Sequence, residues 1–291
     1  MPSLRSRVLS AWLVILILAA PVPAQTLSKA RPEEVGVSTQ RLQRLTDTLQ
    51  AYVSDGKLAG SVVLVARRGK IAYLKAFGQR DRETNAPMPE NAIFRIASQT
   101  KALVSVGVMS LQEQAKLLIT DPVGKYLPEF QKTTVAVPKK DGGYDVVEAK
   151  RPITIRDQLT HTAGIGYGEG VARDRWKAAK IQGWYFADRD EPVGATVSRM
   201  APLPFDAQPG ERYVYGYSTD ILGALIERVS GETLADFLAT RLFGPLGMQD
   251  TQFYLLASNV DRLAAVYSAN ESGKLERAPD PGTGVGQGAY V

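Results

Sequence analysis

The sequence predicts an α/β (α+β) fold, an antiparallel sheet flanked by helices plus a mostly helical domain. Two observations carry this: a helix followed by a strand hairpin stands near the start, and helical patterns dominate the middle. Ser38 reads as an N-cap before Leu42, Leu45, Leu49 and Val53 at helical spacing, and Asp55-Gly56 ends that helix. Ser61 to Ala66 and Ile71 to Leu74 are β-rich runs around the turn Arg68-Gly69-Lys70. Ile96 to Leu117 is rich in Ala, Val, Leu and Met, which predicts a helix buried all round. Thr133–Val137 and Tyr144–Glu148 flank a Pro/Gly/Lys turn and read as a small surface hairpin. Thr154 with Asp157 is a capping-box pattern before a short helix that ends near His161. Gly164, Gly166, Gly168 and Gly170 mark a loop; they neither follow a strand nor open a helix, so they do not read as a phosphate cradle. Ser218 or Thr219 starts a helix closed by Gly231, and Leu234 to Leu242 continue in a second one. Nothing after residue 148 reads as a further strand, whereas a two-stranded hairpin needs partners to be stable. With the Gly/Pro-rich tail from Pro279, this suggests a sequence cut short at Val291.

The 291 residues are 44% hydrophobic and 22% charged, ordinary for an enzyme with a sizeable core. The formal charge of +5 includes Arg5 and Arg7, and without them it is about +3, too small to imply nucleic acid. Those arginines precede an apolar run, Ala11 to Ala20, and then Val22-Pro23-Ala24, the pattern of a cleaved signal peptide. The expected location is secreted or periplasmic with no membrane anchor after cleavage; an uncleaved N-terminal anchor is the competing reading. The run is short of the ~20 residues of a membrane span. With no cysteine, thiol catalysis and disulfides are excluded. The expected organisation is a signal peptide over 1–24, the start of an α/β domain over 25–96, a mostly helical domain over 97–245, and a return segment over 246–291.

Ser98-Gln99-Thr100-Lys101 places a hydroxyl and an amine three residues apart, on one face of a helix. A serine needs a base within reach, and burial would depress the Lys101 pKa so that a neutral amine takes the proton. Ser98 would stand near a helix N-terminus, where its N–H suits a developing oxyanion. The tetrad alone is weak evidence, because Ser54-Asp55-Gly56-Lys57 matches it too. On spacing alone, a snorkelling Lys101 beside a capping Ser98 is an equally good reading. His161 is the only histidine; the order of residues fits no Ser-His-Asp hydrolase, and a lone histidine makes no zinc site. Its plain reading is a helix C-terminus whose imidazole bonds free carbonyls.

Four ordered segments resemble the serine β-lactamase and penicillin-binding superfamily, in its class C β-lactamase and family VIII carboxylesterase branch. They are Phe94 to Lys101, Ile153 to Gly164, Pro209 to Tyr215, and Gly244 to Thr251. The resemblance runs from about residue 31 to the end. It implies a β-lactamase/transpeptidase-like fold in which Ser98 is the acylated nucleophile, Lys101 its base and Tyr215 the proton-shuttling tyrosine of the second motif. That motif, Tyr-x-Asn in β-lactamases, has Tyr217 in place of the asparagine, which points toward esters and makes Tyr217 a candidate substrate contact. The implied function is a serine hydrolase cleaving a small ester or amide, without metal or organic cofactor and with no oligomeric state given. A β-lactamase or D,D-peptidase and a non-catalytic penicillin-recognising module are the alternatives. The family's third motif, with its oxyanion strand, is expected after residue 291, so this chain alone is expected to be inactive or to aggregate.

Overall fold

The computed structural model describes residues 27–183 and 191–278. The predicted signal segment and the tail from residue 279 lie outside the described residues. After a short strand β1 (Ser28–Lys29), helix α1 (Thr39–Ser54) starts where Ser38 Oγ accepts the Arg41 N–H at 3.3 Å. It stops before Gly56, whose φ of 71° suits a residue without a Cβ. Strands β2 (Gly60–Arg67) and β3 (Lys70–Asp81) pair antiparallel from Gly60↔Gly78 to Arg67↔Lys70, with a bulge at Val65/Ala66. β1 lies parallel to β3 on its other side, and β4 (Ala86–Pro87) pairs with the far end of β3. Helix α1 covers one face through Leu42 and Thr46, and the Thr46 and Tyr73 hydroxyls share a 2.7 Å hydrogen bond.

The main core lies in the helical part. Helix α2 (Thr100–Glu113) buries Val104, Val108 and Leu111, one face at helical spacing. Its opposite face leaves Val106 48% and Met109 41% exposed, so among the described residues it is not the fully buried helix its composition predicts. Strands β5 (Thr134–Pro138) and β6 (Tyr144–Glu148) form the expected hairpin. Helices α3 (Ile155–Leu159), α4 (Arg173–Ala178) and α5 (Val193–Met200) lead to α6 (Ser218–Ser230), which ends at Gly231 with φ 76°. Ile221, Leu222, Leu225 and Ile226 of α6 are fully buried among α2, α5 and α7 (Leu234–Leu238). The close α2–α6 contact needs Gly107, because a Cβ there would stand 3.1 Å from Ile226 Cδ1. No described helix is long and apolar enough to cross a membrane.

The sequence misses one hairpin, β7 (Tyr267–Ala269) with β8 (Leu275–Arg277). Each strand has three residues, too few to show a period-2 pattern. Long-range bonds hold this segment beside β3: Ala265 N–H donates to Arg80 O at 2.9 Å, and Arg277 reaches Asp81 at 2.7 Å.

The capping box at α3 is built as predicted and extended by a charge. Asp157 Oδ2 accepts from Thr154 N–H at 2.8 Å and Thr154 Oγ1 at 2.7 Å, while Arg151 grips both carboxylate oxygens at 2.6 and 2.8 Å. Asp157 Oδ1 also accepts from Thr162 Oγ1, so one carboxylate ties the start of α3 to the turn after its end. Burial pushes its pKa up, but Arg151 and the Thr154 bonds outweigh this and hold it below the usual carboxylate value. The contribution is therefore present above the unfolded pKa of about 3.9 and disappears as pH falls through the folded one. Asp157→Asn is expected to cost about 1–3 kcal/mol at pH 7, with the deficit shrinking toward pH 3. Urea unfolding at both pH values checks this, and an equal deficit at the two would place the effect outside the ion pair.

Candidate active site

The nucleophile candidate sits at the entry to α2. Ala97 has φ 43°, a left-handed conformation costly for a residue with a Cβ, and the turn Ala97–Gln99 leads into the helix. This turn presents the exposed Ser98 over the first turn of α2, whose free N–H groups carry partial positive charge. Lys101, one turn on, is half-buried, and its Nζ donates to Ser98 Oγ at 3.3 Å. The second Ser-x-x-Lys behaves differently. Ser54 Oγ caps its own helix on Gln50 O, and Lys57 pairs with Asp55 at 3.0 Å in solvent.

Two further segments close on Lys101. The glycine loop is shaped by backbone contact: a Cβ on Gly164 would stand 2.1 Å from Ala207 O, and one on Gly216 2.3 Å from Gly166 C. Loop 164–170 and segment 213–217 therefore touch main chain to main chain. Tyr167 from the first and Tyr215 from the second meet edge to face at 5.7 Å. Lys101 Nζ donates to the Tyr167 hydroxyl at 3.3 Å and lies 4.8 Å from the Tyr215 ring centroid. Tyr213, on the same side of the strand-like segment as Tyr215, stacks on it at 6.4 Å and is 62% exposed, while Val214 between them is buried.

The electrostatics differ from the sequence expectation. Burial alone pulls the Lys101 pKa down, but the hydrogen bond to Tyr215 and the field of Tyr167 overcome it, leaving the ammonium above its ordinary value. The Tyr215 phenol is the group shifted toward ionisation. Desolvation pushes it up, yet the Ser98 hydroxyl and the Lys101 ammonium bring it below its usual value of 10.0. Tyr167, more enclosed, is pushed up by burial despite Lys101. Asp220, in the first turn of α6, is pushed up by burial to about 7, against the pull of Lys101. The arrangement is a lysinium flanked by two phenols, with Tyr215 the one able to act as base toward Ser98.

The structure brings Ser98, Lys101 and Tyr215 together and places Tyr217 elsewhere. Tyr217 is 1% exposed; its hydroxyl donates to Gly183 O at 2.9 Å, and its ring is stacked on Trp176 and edge-on to Tyr167. It backs Tyr167 and offers a substrate no surface, which corrects its reading as a substrate contact. The imidazole of His161 also departs from expectation: it packs on Tyr215 and Tyr213, and its Nδ1 has no hydrogen-bond partner among the described residues. Sequence reasoning missed Tyr167 and Asp220. The close-packed glycines around Tyr167 were the available signal. A cavity of about 490 Å³ lined by Glu129, Ser198, Glu227 and Arg228 contains none of these groups. Among the described residues no cluster of three or more His, Cys, Asp or Glu could hold a metal ion.

A family model described as Beta-lactamase matches residues 45–290. Among curated proteins, esterase EstB of Burkholderia gladioli is 34% identical over 228 residues, covering 77% of this chain and 54% of its own length. Lovastatin esterase of Penicillium rubens is 30% identical, over 71% of this chain and 52% of its own length. Among solved structures, EstCE1, described as a hydrolase with promiscuous acyltransferase activity, superposes with a TM-score of 0.70 at 31% identity, covering 82% of this chain and 59% of its own. Simvastatin synthase (LovD) from Aspergillus terreus gives 0.69 at 25% identity, over 83% and 61%. The chain thus spans about half the length of these curated relatives. The match over residues 45–290, with a mixed α/β architecture like that of EstCE1 and LovD, makes this chain a member of the beta-lactamase family, of serine-hydrolase type and with esterase and acyltransferase homologues.

Proposed function

We propose that the protein is an exported serine hydrolase that cleaves a small carboxylic ester through an acyl-enzyme on Ser98. The carrying observation is the convergence of Ser98 Oγ and the Tyr215 phenol on one lysinium. Tyr215, ionised with the help of Lys101, takes the Ser98 proton as Ser98 Oγ attacks the ester carbonyl. The N–H groups at the start of α2 stabilise the oxyanion, and the phenol returns the proton to the leaving alcohol. Water, deprotonated by the same phenolate, then hydrolyses the acyl-enzyme; an alcohol in its place gives acyl transfer, the activity named for EstCE1. The esterase relatives favour an ester over an amide, and so does Tyr217, buried where the β-lactamase motif carries an asparagine. The apolar run at residues 11–20 behind Arg5 and Arg7 supports export.

On a longer form of the protein that carries the family's third motif, fluorophosphonate labelling with peptide mapping tests the nucleophile: the adduct belongs on Ser98, and Ser98→Ala should lower both labelling and p-nitrophenyl butyrate hydrolysis by at least about 10³-fold. Label on any other residue, or nitrocefin turned over faster than the ester, defeats the reading. The base carries its own pH signature. Reactivity should rise with pH through the depressed Tyr215 pKa and hold until the raised Lys101 pKa is reached. In Lys101→Met the phenol loses its cationic neighbour, so the rising limb should move to higher pH and the rate at neutral pH should fall. A limb that stays in place would show that the lysine does not set the ionisation of Tyr215.

A further inference from the structure

His161, like Asp220, is a titratable group beside the site that the proposed mechanism leaves unused. Its main chain is left-handed, with φ 54°, and stands one residue beyond the cap of α3. Its carbonyl accepts the Val214 N–H at 2.8 Å, so the turn fixes the main chain of the residue next to Tyr215. The neighbouring Thr162 is held by Asp157, and Gly210 N–H donates to Thr162 O at 2.8 Å, so the two segments are laced at a second point. The imidazole continues the contact on the side-chain level: its ring lies 4.9 Å from the Tyr215 ring at 42° and 5.7 Å from the Tyr213 ring. Lys101 Nζ, 4.8 Å from the Tyr215 centroid, contacts the same phenol ring.

We propose that neutral His161 is a positioning residue for Tyr215, holding the phenol against Lys101, and that protonation of this single imidazole releases the phenol and shuts the site off in acid. The proposal rests on the Ser98–Lys101–Tyr215 reading above. The buried Nδ1 has no partner among the described residues, so a proton there would be an unsatisfied donor. The proposal therefore puts the proton of the neutral ring on Nε2. Among the described residues, the groups facing the ring are the phenols of Tyr213 and Tyr215 from segment 213–217 and the Lys101 ammonium from α2. Burial first, then the Lys101 charge, moves its pKa below 6.5, and no carboxylate is among the causes. An imidazolium would sit beside a lysinium already in contact with the same ring, so the two cations would compete for Tyr215 and repel each other.

The test combines two variants with NMR on the full chain. Asn tolerates the left-handed backbone but removes the ring, whereas Phe keeps a ring that cannot titrate. His161→Asn should slow fluorophosphonate labelling of Ser98 by about 10²-fold and move the rising limb of its pH profile upward, as Tyr215 leaves the lysinium. His161→Phe should label within a few-fold of the parent rate at neutral pH and lose the extra acid steepness, the slope of log rate against pH falling from two to one at the acid end. Being the only histidine, His161 gives an unassisted assignment in protein labelled with ¹⁵N-histidine. Its spectrum should show the Nε2–H tautomer and a midpoint below 6.5. Unchanged rate and pH profile in His161→Asn, or an imidazole that titrates at 6.5 or above, would overturn the proposal. Loss of labelling specificity for Ser98 in the parent protein would instead defeat the hydrolase reading itself. Should either variant fail to fold, the tautomer and midpoint of the parent imidazole still decide between the outcomes.

Discussion

A half-buried ammonium with no carboxylate ion pair among the described residues is the constraint on which the rest of the site depends. Lys101 is drawn from water by its place in the first turn of α2, and its hydrogen-bond partners are a serine hydroxyl and phenols. A cation in such surroundings keeps its proton only if a neighbour takes on negative character. Tyr215, less enclosed than Tyr167, is the phenol whose pKa is lowered. In the proposed mechanism the lysine therefore holds a charge in place, and the phenol is assigned the proton transfer. This inverts the simpler idea that burial turns lysine into the base. That idea counts the desolvation of the amine and leaves out what the amine donates to.

Holding that geometry falls to the helical part of the molecule. Three separated stretches of chain meet there: the start of α2, the turn and glycine loop after α3, and the approach to α6. Close packing of α2 on α6 through Gly107 sets one distance. Main-chain contact between Gly216 and Gly166 sets another, and Tyr217 on Trp176 supports Tyr167 from within the core. Main-chain bonds from Val214 to His161 and from Gly210 to Thr162 link the last two stretches, and Asp157, which caps α3 and holds Thr162, fixes the turn that accepts them. Such interdigitation gives little room for adjustment, as expected where a shift of an ångström changes reactivity strongly.

What was legible in the sequence follows the range of the interactions. The caps at Ser38 and Thr154, the hairpins around Gly69 and Gly142, and the Gly231 stop are local and appear where the residues predict them. Ser98 and Lys101 share one helical turn, so their proximity is also local; the exposed Ser54 and Lys57 show that spacing without burial carries no chemistry. Tyr215 was reachable only through family resemblance, because its neighbour Lys101 lies over a hundred positions away. Tyr167 gave no pattern of its own, since its place depends on two loops touching through glycines. The strands β7 and β8 are short, and side chains of distant Arg80 and Asp81 help hold their segment in place. The exposed face of α2 was missed for a different reason: composition reports how apolar a helix is, and not which side is covered.

Asp220 sharpens the argument about charge. An ordinary carboxylate in the field of Lys101 would be ionised at neutral pH and would share the pull of the ammonium. The negative character that Lys101 induces would then reside on the acid, and Tyr215 would lose its reason to ionise. Burial counters this in part by raising the Asp220 pKa to about 7, so that about half of the acid is neutral at pH 7 and less above it. Keeping a carboxyl group protonated above its unfolded pKa of about 3.9 costs stability that grows as pH approaches 7, and removing the acid would abolish the cost.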